Sequence, residues 1–123
     1  MGIKPSIEIL ENILVLKLSG ARMLYDVDEI NELLIKELQK SKSKKAVIDY
    51  TGVKGKRSIV ESVQKAESFP VEFRQYKIAL IDSKENREAS VAEESVFSNR
   101  GFRLKAFTDL SEAIKWLKSF IAE

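Results

Sequence analysis

Ala46–Tyr50 reads AVIDY, the loop Thr51–Arg57 reads TGVKGKR, and Ser58–Glu61 reads SIVE. The first stretch is short, apolar and β-branched, and it is bounded by polar residues, as a strand buried on both faces should be. The last is a capping box. The Ser58 oxygen meets the third backbone N–H of a new helix, and Glu61 reaches back. A buried strand, a glycine-containing loop and a capped helix make the core of a βαβ unit, and that unit points to a parallel sheet.

The same alternation extends in both directions. Downstream, Ile59, Val63 and Ala66 mark the expected inner face of the helix, which ends at Phe69-Pro70. Lys77–Asp82 (KIALID) is a further buried-type strand. Helical spacing returns over Arg87–Ser98 with Ala89, Ala92, Val96 and Phe97 on one side, and Gly101 is placed to end it in a left-handed cap. Glu85, Glu88, Glu93 and Glu94, with Lys84 and Arg87 between them, read as a solvated face. Arg103–Phe107 is the last strand. Asp109-Leu110-Ser111-Glu112 is another capping box, opening a helix striped by Leu110, Ala113, Ile114, Leu117, Phe120 and Ile121 and flanked by a packed Trp116.

Upstream, Val27, Ile30, Leu34 and Leu38 predict a helix capped by Asp26 or Asp28 and ending in Lys40–Lys45. Before it, Ser6–Leu10 and Ile13–Leu18 form a hairpin about Glu11-Asn12, with Ser19-Gly20 as the following turn. The order is β-β-α-β-α-β-α-β-α. It predicts an α/β fold in which residues 1–123 form a single domain, its mostly parallel β-sheet carrying an antiparallel N-terminal edge hairpin.

Composition narrows the chemistry. The 123 residues are 44% hydrophobic and 33% charged, with no cysteine and no histidine. Disulfides, thiol nucleophiles, Cys/His zinc sites and Ser-His-Asp triads are excluded. No metal site, cofactor or catalytic residue is expected. Met1–Leu10 lacks the apolar core of a signal peptide and no run is long enough to span a bilayer, so a cytoplasmic location is expected. The formal charge of +2 hides a basic segment: between Lys36 and Arg57 eight basic residues face two acidic ones, leaving +6 there and −4 elsewhere. Such a segment attracts phosphates, and it also simply solvates a helix end and loop.

Ligands of open α/β sheets gather beyond the carboxyl ends of the parallel strands. Those ends are Asp49, Tyr50 and Thr51 after one strand and Asp82, Ser83 and Lys84 after the next. With Lys54, Lys56, Arg57 and Ser58 they line one expected rim, the candidate surface for a ligand or partner. Asp49 and Asp82 are the pair that an acid–base enzyme would use. Gly52-x-x-Gly55-Lys56-Arg57-Ser58 lacks the spacing and ending of a phosphate loop and reads as a basic turn. Phe69, Phe73 and Tyr76 either cover the sheet or form an apolar mouth.

Ile13–Gly20 (ILVLKLSG), Val47–Val53 (VIDYTGV), Asn99–Leu104 (NRGFRL) and Phe107–Leu117 (FTDLSEAIKWL) together resemble the STAS superfamily, which includes sulfate transporter tails and bacterial anti-sigma factor antagonists. The nearer likeness is to its uncharacterised STAS-like branch, which is often grouped with CRAL-TRIO lipid-binding domains. The resemblance implies an anti-sigma factor antagonist-like fold. It also implies a non-catalytic, regulatory domain binding a protein partner or a small anionic or lipidic ligand. In the antagonists an Asp-Ser-Ser-Gly motif opens the helix after this strand, and a partner kinase phosphorylates its first serine. Aligned without gaps, that serine falls on Ser58, the candidate phosphoacceptor, while Arg57, Ile59 and Val60 replace the Asp, second Ser and Gly. Two other readings stand beside this one: an enzyme using carboxylates or a lysine at the strand ends, and nucleic-acid binding through residues 36–57. The exposed edge of the first hairpin also allows a homodimer.

Overall fold

The computed structural model describes residues 2–21 and 26–119. These form strands β1 (Ile3–Leu10), β2 (Ile13–Ala21), β3 (Lys45–Lys54), β4 (Lys77–Ile81) and β5 (Arg103–Phe107). The helices are α1 (Asp26–Ser41), α2 (Ile59–Ser68), α3 (Arg87–Asn99) and α4 (Leu110–Lys118), with short 3-10 turns at Val71–Gln75 and Lys84–Asn86. The strands lie in the order β1-β2-β3-β4-β5. β1 and β2 are antiparallel and every later pair is parallel.

Three crossovers that step in one direction with one hand put their helices on one face. That face carries Leu14, Leu16, Ile48, Ile78 and Leu80, which pack with Leu34 and Leu38 of α1, Ala66 of α2 and Phe97 of α3. Phe69, Phe73 and Tyr76 are buried there. The Phe69 ring stacks on Phe73 at 4.5 Å and meets Phe97 edge-on at 5.0 Å, so these rings are core and form no mouth. The other face carries Ile13, Val15, Val47, Ala79 and Ile81, packed by Ala113, Trp116 and Leu117 of α4. Lys77 reaches through this layer. Its Nζ donates to the Trp116 carbonyl at 2.7 Å and the Ser119 carbonyl at 3.2 Å, and so closes the C-terminus of α4.

Local signals behave as their chemistry requires. Glu11 and Asn12 both take positive φ, 49° and 68°, and form a tight two-residue turn without glycine. At Gly101 the Phe102 N–H donates to Phe97 O at 3.0 Å and the Gly101 N–H to Ser98 O at 3.1 Å, a Schellman ending. Some boundaries differ from expectation. Asp28 is an internal residue of α1. The side chain of Asp26, together with Phe120 and Ile121 of the expected terminal stripe, lies outside the described residues. Ser19 and Gly20 are not a turn, because β2 continues through them and Gly20 pairs with Ile3.

The largest difference is in β3, which runs four residues past Tyr50. Between the pairs Lys17↔Asp49 and Ser19↔Gly52 it uses one residue more than β2, a bulge. Asp49 supports it: its Oδ1 accepts from the Thr51 N–H at 2.9 Å and the Thr51 hydroxyl at 2.6 Å. Gly52 permits it, since a Cβ there would lie 2.7 Å from the Leu18 carbonyl oxygen. Gly52→Ala is therefore expected to destabilise the fold by about 1–3 kcal/mol, the usual cost of overpacking, read as a lower midpoint in urea unfolding.

Candidate functional site

The carboxyl ends of β3 and β4 meet under the amino ends of α2 and α3, and a buried charged cluster fills that junction. Arg57, the residue before the N-cap of α2, is only 5% exposed. Its Nε donates to Asp82 Oδ2 at 2.6 Å, just beyond the end of β4. One terminal nitrogen donates to Glu93 Oε1 of α3 and to Ser62 Oγ of α2, the latter at 3.3 Å. The other donates to Ser90 Oγ at 2.8 Å. Its backbone N–H donates to Asn86 Oδ1 at 2.7 Å. Its guanidinium lies 5.3 Å from the centre of the Tyr50 ring.

The carboxylates are shared. Asp82 Oδ1 accepts from the Ser83 N–H at 2.7 Å and from Asn86 Nδ2 at 3.0 Å. Glu93, fully buried, turns its second oxygen to Lys65 Nζ at 2.7 Å, and Lys65 also donates to the Tyr50 hydroxyl at 3.2 Å. Two cations thus face two carboxylates, so charge closes inside the cluster, as burial demands.

The structure unites Tyr50, Arg57 and Asp82, as the strand-end reading expected, but it buries them on one another rather than lining a rim. Arg57 is buried and already paired with two carboxylates, so it is no free anion receptor. Asp49 and Asp82 do not form a pair. Asp49 belongs to the α4 side of the sheet and holds Thr51, whereas Asp82 holds Arg57 on the other side. The basic segment is divided as well. Lys42, Lys44 and Lys45 precede or begin β3, and Lys54 and Lys56 lie at its far end, roughly 30 Å of strand away. Among the described residues no group of acidic side chains is placed to hold a metal ion.

What remains at the surface is the entrance to α2. Ser58 caps the helix: its Oγ accepts from the Glu61 N–H at 3.3 Å. Thr51, Lys54, Lys56 and Ser58 are exposed and Ser83 is half-buried. Of the expected inner face of α2, Ala66 is buried and Val63 half-buried, but Ile59 is 44% exposed, and Val60 beside it 65%. Ser62 is buried as well, with its oxygen accepting from Arg57. A depression of about 350 Å³ is lined here by Lys56, Ser58, Ile59, Val60, Glu85 and Glu88. Ser83 opens instead onto a second depression of about 330 Å³, with Arg87, Glu94, Thr108 and Asp109.

The sequence reading missed Glu93, Ser62, Ser90, Asn86 and Lys65. Glu93 carried a signal: it stands four residues after Ala89 and four before Phe97, inside the apolar stripe and not on the solvated face. A carboxylate there requires a buried cation.

Removing the cation should be costly. Arg57→Met is expected to lower stability by roughly 3–5 kcal/mol, because Asp82 stays buried without a cation and Glu93 keeps Lys65 alone. Asp49→Ala, which loses only the Thr51 contacts, should cost about 1 kcal/mol. Urea unfolding of both variants checks the contrast.

No protein-family model matches this chain, and no curated protein matches it in sequence. Solved structures do match in shape. An anti-sigma factor antagonist from Mycobacterium paratuberculosis superposes with a TM-score of 0.62 at 13% identity, covering 95% of each chain. An uncharacterized protein with a SpoIIAA-like fold from Shewanella loihica gives 0.61 at 22% identity, over 94% of this chain and 93% of that one. The anti-sigma factor antagonist SpoIIAA, in its unphosphorylated form, gives 0.54 at 14% identity, over 97% and 100%. These matches show the fold: the chain has the SpoIIAA-like α/β fold of the anti-sigma factor antagonists.

Proposed function

We propose that residues 1–123 act as one non-catalytic regulatory domain that docks a protein partner at the amino end of α2. The observation that carries this reading is the exposure of Ile59 and Val60 beside Ser58 and Lys56, on a helix start bolted to the core by Arg57. An apolar pair held rigidly at the surface with a polar rim suits a protein interface. Charge argues against a small anion there, since it would meet Glu85 and Glu88 as well as Lys56. The closed packing of Phe69 and Phe73 argues against a lipid held at those rings. Thr51 and Lys54 are exposed on the strand that leads to the docking surface, while Tyr50, Arg57 and Asp82 support it from below, and Ser83 borders the neighbouring depression. Ser58 is its regulatory position. A phosphate there adds close to two negative charges beside Ile59 and Val60, at a helix N-terminus that favours them.

Chemical cross-linking in the chain's own host tests this. A protein cross-linked to the wild-type chain should fall about tenfold or more with the double substitution Ile59→Asp/Val60→Asp, a loss on the order of 1.4 kcal/mol, and should persist with Lys115→Glu on α4. Ser58→Asp, which keeps an N-cap oxygen, should leave the fold intact and change the same cross-link. If no cross-linked protein depends on Ile59 and Val60, the proposal fails. A bound mass in the native mass spectrum that vanishes on denaturation would favour a small ligand instead.

A further inference from the structure

We propose that β1 is a self-association strand, along which two copies of this chain pair antiparallel so that two five-stranded sheets become one. The two sheet edges differ sharply. β5 is five residues long, exposes Arg103 and Lys105, and has its Ala106 N–H donated to Glu94 Oε1 at 3.3 Å. These are the usual guards of an edge. β1 is eight residues long and pairs with β2 over its whole length, from Ile3↔Gly20 to Leu10↔Ile13.

The tight turn fixes which backbone groups of β1 remain free. With positive φ at both Glu11 and Asn12, Leu10 and Ile13 are the hydrogen-bonded pair that closes the hairpin. Lys4, Ser6, Glu8 and Leu10 therefore bond to β2, and Ile3, Pro5, Ile7 and Ile9 turn their backbone groups outward. Pro5 falls in the outward set, where its missing N–H costs the hairpin nothing but leaves the outward N–H groups of Ile3, Ile7 and Ile9 to carry the pairing. Ile7 and Ile9 pair with Leu16 and Leu14 and so share the three-helix face, yet they are 36% and 50% exposed. The edge thus offers free backbone groups and uncovered apolar side chains together.

Charge selects the occupant and the register. With Ser6 of one copy opposite Ser6 of the other, Lys4 stands opposite Glu8 twice, Ile3 opposite Ile9, and Pro5 opposite Ile7. Centring on Ile7 sets Lys4 against Leu10, and the next register sets Glu8 against Glu8, which repels. Only the first gives two complementary pairs. Glu8, already 3.2 Å from Lys17 in its own chain, then bridges two lysines.

Sedimentation velocity over a concentration series tests the pairing. The wild-type chain should show a reversible dimer. Ile7→Pro removes an outward N–H that β2 does not use, so circular dichroism should stay unchanged while the dimer is lost. Lys4→Glu and Glu8→Lys, each creating two like-charge contacts, should weaken the dimer roughly tenfold apiece, and the double substitution Lys4→Glu/Glu8→Lys should restore it. A chain that stays monomeric up to millimolar concentration overturns the proposal and leaves the edge to a strand of a different protein. A dimer that survives Ile7→Pro overturns it in favour of another surface. Failure of the double substitution to recover overturns the Ser6-centred pairing.

Discussion

A guanidinium buried at the junction of two helices and two strands is the constraint on which the rest of this structure depends. Taking a cation out of water is unfavourable unless its charge and its donors are all met. Arg57 is met by Asp82 from the end of β4, Glu93 and Ser90 from α3, and Ser62 from α2. These partners come from three parts of the chain, the end of β4, α2 and α3, so the cluster sets how those elements sit against one another. With Ser62 inward, Val60 lies on the opposite side of the helix and faces solvent, while Ile59, in the first turn, is 44% exposed. The start of α2 is thus held by a charge cluster below it and leaves apolar side chains at the surface above.

The two faces of the sheet are held by different means. The face bearing α1, α2 and α3 has a broad apolar and aromatic core that surrounds the charged cluster. Among the described residues the opposite face is packed by α4 alone, pinned at its end by Lys77. Strand order explains the inequality. Three crossovers in one direction leave the second face to whatever follows the last strand. α4 meets the hairpin at its turn, where Lys118 pairs with Glu11 at 2.7 Å, while Ile7 and Ile9 of β1 stay exposed.

Much of this architecture was legible in the residues because it rests on local chemistry. Alternating apolar runs, capping serine and aspartate, and Gly101 mark elements that short-range geometry dictates. The bulge in β3 was not legible, because it answers a close approach between Gly52 and the Leu18 carbonyl from another strand. The strand-end rim was half legible. Tyr50, Arg57 and Asp82 do converge, but sequence cannot distinguish a rim of exposed charges from a closed cluster when the compensating carboxylate lies thirty-six residues further on. Glu93 looks solvated beside Glu88 and Glu94, although its spacing from Ala89 and Phe97 points inward. The basic run is divided for a plain reason: an extended strand carries Lys45 and Lys54 to opposite ends of the sheet.

Sequential strand order has a consequence for how the molecule comes into being. Each strand pairs with the one made just before it, so the sheet can grow in step with synthesis, one crossover at a time. The Arg57 cluster does not follow that rhythm. Its guanidinium is made first, Asp82 arrives twenty-five residues later and Glu93 thirty-six residues later. Until then the nascent chain holds a cation with no interior to enter, and the start of α2 has no anchor. Completion of α3 is therefore the step that converts a growing sheet into a locked one, and the last-made carboxylate sets when that happens.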